Sequence, residues 1–290
     1  MVQQNPLDAS MGPELAEKLA RAVDSMPGFP HSVQRILALT RDMNCSPKEL
    51  IQVIEQDPLV TVKVLRVVNS AHYGMPKQVT SISHAVVFLG LNTIKNIALG
   101  IAAIGVLPSI QMGGFDGPQY LQHSLATAGI AKQLAYRVSD ADPMDCFIAG
   151  LLHDFGKVVF AKSMPAEFRR ALEMSQWHET SLHLALREVI GVDHAVVGAM
   201  LVEKWRFAPQ LVDAIRSQNG GSPLNNGMAA CVFAANQISK KLGLGFGGNP
   251  LVEPLPVPVS QRLGGDLDAV IASLGNIRAL YEDAQIFVRV

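Results

Sequence analysis

Ala149-Gly150-Leu151-Leu152-His153-Asp154-Phe155-Gly156-Lys157 sets an adjacent imidazole and carboxylate inside an apolar stretch. An unpaired carboxylate is costly to bury, so Asp154 needs a cation or hydrogen-bond donors wherever that stretch enters a core. A His-Asp doublet at a helix end can offer one nitrogen and one oxygen to the same metal ion. Such mixed sites suit Fe, Mn, Zn or Ni. The bland alternative is a polar network whose members satisfy one another. Lys157 is likewise open to two readings, as an anchor for a substrate phosphate or as the ion partner of the neighbouring carboxylate.

Outward from the doublet the chain reads as helices. Asp142-Pro143 caps and opens the helix that leads into it. Ser46-Pro47-Lys48-Glu49 is a capping box, Asp57-Pro58 restarts a helix, and Ser81 caps one that runs to Leu89, with Gly90 placed to end it. Asn92 is expected to cap the next, to about Leu107. Pro118 opens a long helix to about Val138, and helical patterns follow over 165–177, 181–190, 194–205, 209–218 and 228–241. His183 falls mid-helix and is expected on a helix surface. Asn69 to Pro76, with His72, reads as a loop. From Gly243 to Ser260 the composition shifts to Gly and Pro, which predicts an extended wrap before a last helix near 267–282.

The expected fold is all-α and two-lobed, an N-terminal helical bundle over 12–110 and a second bundle over 117–245, with a Pro/Gly-rich wrap and C-terminal helix over 246–290. The connection from Pro108 to Gly117, with three glycines and a proline, separates the lobes.

The bulk composition narrows the function. Hydrophobic residues make up 49% of the chain and charged residues 17%. The charged share is low for a globular protein, which leaves material for a large core. Lys and Arg number 24 against 25 Asp and Glu, which argues against a nonspecific grip on nucleic acid. Cys45, Cys146 and Cys231 form no CxxC pair and fit buried thiols in a reducing compartment. The longest apolar run, 11 residues from Ile97, is too short to span a bilayer, and MVQQNPLDAS has no secretory pattern, so a soluble, cytoplasmic protein is expected.

Phe29-Pro30, Asp57-Pro58-Leu59, Val64-Leu65-Arg66-Val67-Val68-Asn69-Ser70-Ala71, Ile82-Ser83-His84-Ala85, Leu89-Gly90, the 149–157 stretch and Asp193-His194-Ala195-Val196-Val197-Gly198 together resemble the HDOD domain, a bacterial signalling relative of the HD phosphohydrolases. The resemblance runs from about Leu15 to Asn219. It implies a metal-ligand frame of His123, His153, Asp154 and His194. It also implies two departures: Asn236 stands where the family's catalytic relatives have a distal Asp, and Gln218-Asn219 where HD-GYP enzymes have a His pair. A neutral carbonyl oxygen in place of a carboxylate weakens a divalent site and its hold on a bound water. The expected function is therefore a non-enzymatic regulatory or scaffold module in a signalling pathway, working through a protein partner. The alternative is a metal-dependent phosphohydrolase or phosphodiesterase using Lys157, with a nucleotide or phosphodiester as substrate.

Overall fold

The computed structural model describes residues 12–39, 46–70, 73–106, 111–112, 115–219 and 226–285; Cys45 and His72 lie outside them. The first part of the chain carries α1 (Pro13–Asp24), α2 (His31–Leu39), α3 (Pro47–Glu55), α4 (Pro58–Val68), α5 (Ile82–Leu89) and α6 (Leu91–Val106). Its helix starts follow the sequence signals. Ser46 and Glu49 form the reciprocal capping box. Asp57 Oδ1 accepts from the Leu59 and Val60 amides at 3.1 Å while Ser32 donates to Oδ2. Asn69 bonds the Leu65 and Val79 backbone, the turn-making role that its residue type favours. Gly90 ends α5 at φ +81°, and α6 begins at once on Leu91, so Asn92 lies within the first turn and is not its cap.

The connection between lobes contains the sole ladder among the described residues, β1 (Gln111–Met112) antiparallel to β2 (Phe115–Asp116). Beyond it come α7 (Gly117–Ala135), α8 (Pro143–Leu152), α9 (Phe155–Ser163), α10 (Pro165–Trp177), α11 (Leu182–Ile190), α12 (His194–Lys204), α13 (Pro209–Arg216) and α14 (Gly227–Lys241). Small buried residues on α7, among them Ser124, Ala126, Ala128 and Ala131, let α8 and α14 approach closely and make the lobe's centre. Asn96 and Lys95 on α6 reach Asp145 on α8 at 2.8 and 3.3 Å and tie the lobes together. The α1–α2 region is fastened to the second lobe as well. α1 packs on α9 and α12, Lys204 donates to the Val23 and Asp24 carbonyls, and Phe29 lies against Trp205 with ring centroids 4.6 Å apart.

Two further expectations need correction. His183 is buried, not on a surface, because the chain after α14 folds back and places Glu253 against it, Nδ1 to Oε1 3.8 Å. The tail is extended only to Pro256; it then forms α15 (Val257–Leu263), α16 (Leu267–Ser273) and α17 (Ile277–Ala284), packed on α14 and α7. Prolines that look like breakers open α15 here, since Pro258 sits in the first turn, where a missing amide hydrogen costs little.

Candidate functional site

The doublet occupies the junction of two helices. His153 is the C-cap of α8 and Asp154 the N-cap of α9. An aspartate there ordinarily bonds the amides of the first turn. Asp154 makes no such bond, and its carboxylate turns inward. Gly156 explains what it meets. A Cβ at this position would fall within the carbonyl oxygen of His194 and 2.8 Å from the Gly198 amide nitrogen. Only glycine lets the start of α9 lie directly on the start of α12, and that crossing brings His194 to Asp154.

Four basic groups surround the one carboxylate. Lys157 Nζ lies 2.5 Å from Asp154 Oδ2, His153 Nε2 3.2 Å and His123 Nε2 3.6 Å from the same oxygen. His194 Nε2 stands 3.3 Å from Oδ1. All five side chains are buried. The ring of His153 is oriented by its Nδ1, which lies 2.7 Å from the Gly150 carbonyl. With Nδ1 engaged there, Nε2 is the ring nitrogen that faces Asp154. Gln218 donates to the His153 carbonyl and braces the end of α8. Asn236 is buried on α14 and offers only a neutral oxygen.

Burial sets the protonation states. It pushes His123 down to about 3, with Asp154 opposing, and His194 down to about 4, with the like charge of Lys157 adding to the effect. Burial alone would raise Asp154, but His153 and Lys157 outweigh it and hold the carboxyl well below the usual carboxylate range. Lys157 is itself lowered by burial, against the pull of Asp154. The ion pair thus lies beside two imidazoles, His123 and His194, that burial keeps neutral.

These shifts carry a sign. Each of the two histidines binds a proton in the unfolded chain below its ordinary 6.5 and resists it in the folded one, so stability falls as pH drops from about 6.5 toward 4. The slope is at most about 1.4 kcal/mol per pH unit per histidine. Urea midpoints taken between pH 7 and 4.5 should decline accordingly, and should flatten in His123→Gln/His194→Asn; a flat wild-type profile would contradict the assignment.

The chain after α14 roofs the site, a contribution missed when Gly243 onward is taken as linker. The Phe246 amide donates to the Gln119 carbonyl at 3.0 Å, and the Gly247 carbonyl accepts from Lys157 at 2.7 Å. A Cβ on Gly247 would lie 2.7 Å from the His123 ring and 2.9 Å from Asp154 Oδ2. The available signal was Gly243-x-Gly245-x-Gly247-Gly248 directly after a helix, a spacing that permits close approach of backbone to a site.

The donor set fits one cation. The side-chain nitrogens of His123 and His153 that face Asp154 are buried without a hydrogen-bond partner, as is Asp154 Oδ1. The two nitrogens stand 3.6 and 3.2 Å from a shared carboxylate oxygen. Such separations are those found between ligands about 2.0–2.2 Å from a common ion. His123, His153 and Asp154 form the candidate metal cluster, and His194 addresses the other carboxylate oxygen. An ion held there would act as a Lewis acid on a bound water. Lys157 presents positive charge to Oδ2, the contact that the pairing alternative for this lysine expects.

The HDOD domain family model matches residues 26–220. An uncharacterized protein of Treponema pallidum (strain Nichols) is 28% identical over 204 residues, 70% of this chain; the match covers 39% of that longer protein. A crystal structure of an HDOD domain protein of unknown function from Geobacter sulfurreducens aligns with a TM-score of 0.76 at 24% identity, over 94% of this chain and 97% of that one. At that identity the likeness concerns the fold. Among the described residues no single helix is long and apolar enough to cross a membrane.

Proposed function

The chain belongs to the HDOD domain family, and we propose that it is a non-enzymatic regulatory scaffold of bacterial signal transduction, cytoplasmic, whose output is a contact with a protein partner. One observation carries this reading: the Lys157 ammonium is shared between Asp154 Oδ2 and the Gly247 carbonyl. A charge-assisted bond of this kind balances the charge of the cluster's single carboxylate at Oδ2 from inside the chain. A divalent ion would have to displace a desolvated ammonium and lift the backbone at Gly247, with Asn236 adding no second negative charge. On this reading the HD-type frame serves as the structural centre of the second lobe, joining α7, α8, α9 and α12.

The test pairs metal analysis with turnover. Protein purified with Mn, Fe, Zn or Ni present should hold well under one ion per chain and should not hydrolyse a generic phosphodiester or nucleotides. Metal-dependent turnover that disappears in His153→Ala and Asp154→Ala would replace the scaffold with a phosphohydrolase.

That second reading is favoured by the unpartnered nitrogens of His123 and His153. It assigns one divalent ion to His123, His153, Asp154 and His194. Lys157→Met separates the two readings. With the ammonium gone, the vacated carboxylate should recruit a cation, so Mn²⁺ or Zn²⁺ should raise the melting temperature of the variant by several degrees and leave the wild type nearly unchanged. Equal metal responses in both proteins would mean that Lys157 does not stand in for an ion.

A further inference from the structure

We propose that the outer face of α4 and α5 docks an acidic amphipathic helix of a partner protein. Ten large hydrophobic side chains are exposed among the described residues, and four of them sit on these two short helices: Leu59 (68%), Val62 (52%), Val87 (81%) and Phe88 (59%). Isolated exposed apolar residues need no explanation; their concentration on two helices that pack on each other does. α5 reads Ile82-Ser-His-Ala-Val-Val-Phe-Leu89, apolar nearly all round, a composition that belongs to a helix covered on both sides. Ile82 and Ala85 face the core; Val87 and Phe88 face solvent.

Charge identifies the occupant. No Asp or Glu occurs from Pro58 to Phe115, while Lys63, Arg66, Lys77 and Lys95 do. The whole chain is −1, so with this segment at +4 the remainder is −5. Lys95 is engaged by Asp145; Lys63, Arg66 and Lys77 make no ion pair among the described residues. Leu59, Val62 and Arg66 follow one stripe of α4, so uncompensated positive charge lies along the apolar strip.

A helix with leucine-like anchors and acidic flanks matches both properties. A second copy meeting it through the same face would bring the same uncompensated cations to the contact. Nucleic acid would use three cations and leave the aliphatic side chains idle. An anionic bilayer would face a remainder of like charge, and Trp177 and Trp205, the side chains that favour such an interface, both lie in the second lobe. Turnover at the His–Asp site would overturn the scaffold reading and leave this surface untouched, so the two fail separately.

The full chain should be titrated by fluorescence anisotropy with two synthetic amphipathic helices, one of Leu and Glu and one of Leu and Lys. The Leu/Glu helix should bind, more weakly at high salt, and the Leu/Lys helix should not. V87D/F88D should weaken binding at least about tenfold, as loss of a buried anchor does, with an unchanged melting temperature. K63E/R66E should reverse the preference toward the Leu/Lys helix, a gain that misfolding cannot mimic. No binding, equal binding of both helices, or indifference to V87D/F88D would overturn the proposal. So would tighter association with phosphatidylglycerol-containing vesicles or a DNA duplex, or self-association by sedimentation velocity, if V87D/F88D abolished it.

Discussion

Gly156→Ala is expected to cost more stability than any other single methyl group added to this protein. The new Cβ would fall on backbone atoms alone, the His194 carbonyl oxygen and the Gly198 amide nitrogen, neither of which can rotate away. Relief requires α9 and α12 to separate. Ordinary overpacking costs about 1–3 kcal/mol where side chains can give. With none to give, about 4 kcal/mol or more is expected, against a total stability of roughly 5–15 kcal/mol. Alanine's advantage over glycine within a helix, about 1 kcal/mol, does not offset this. Gly198→Ala is the comparison. Its nearest contacts are Gly156 N and Ile215 Cγ2, both at 3.3 Å. Small adjustments relieve them, so a loss of about 1–2 kcal/mol is expected. Urea unfolding of the three proteins, followed by circular dichroism, checks the order. Equal midpoints for Gly156→Ala and the wild type would mean that the crossing is not as close as described.

The second large effect concerns the buried ion pair. Asp154→Leu leaves the Lys157 ammonium beside the neutral imidazoles of His123 and His194 in a buried site, and a loss of about 3–5 kcal/mol is expected for an uncompensated buried charge. The double variant Asp154→Leu/Lys157→Met removes both charges and should return to within about 1–2 kcal/mol of the wild type, since apolar replacements of a whole buried pair are often neutral. The double-mutant cycle measures the coupling directly. Additive losses would show that Asp154 is held by the histidines and not by Lys157. A second readout guards against a general packing defect: Asp154→Leu should flatten no part of the pH profile between 6.5 and about 4, because that slope belongs to His123 and His194.

Much of the helical layout was legible in the chain because its signals are local. A capping side chain, a proline in a first turn or a glycine after a last turn acts within four residues, and Ser46, Asp57, Ser81 and Asp142 all cap as their neighbours predict. α9 is not legible in the chain because only two turn residues, the His153-Asp154 doublet itself, part it from α8. His183 misled because its burial depends on Glu253, 70 positions away in the chain. The tail misled for the same reason. Its prolines and glycines carry no sign of whether a partner surface exists, and α14 and α7 supply one.

For the site, the sequence by itself determined the His153-Asp154 doublet and a lysine one helical turn beyond Asp154, while His123, His194, Asn236 and Gln218 entered only through the resemblance. It also determined that Asp154 would need a partner wherever the apolar stretch around it entered a core. Which partner it found was decided only by the tertiary structure. Lys157 reaches Oδ2 from the next turn of α9, but the seat is closed by the Gly247 carbonyl, brought back over 90 residues of chain. His194 arrives because Gly156 lets two helices touch. The strength of a buried charge contact depends on what excludes water around it. That exclusion is made here by segments remote in sequence, and no local pattern records it.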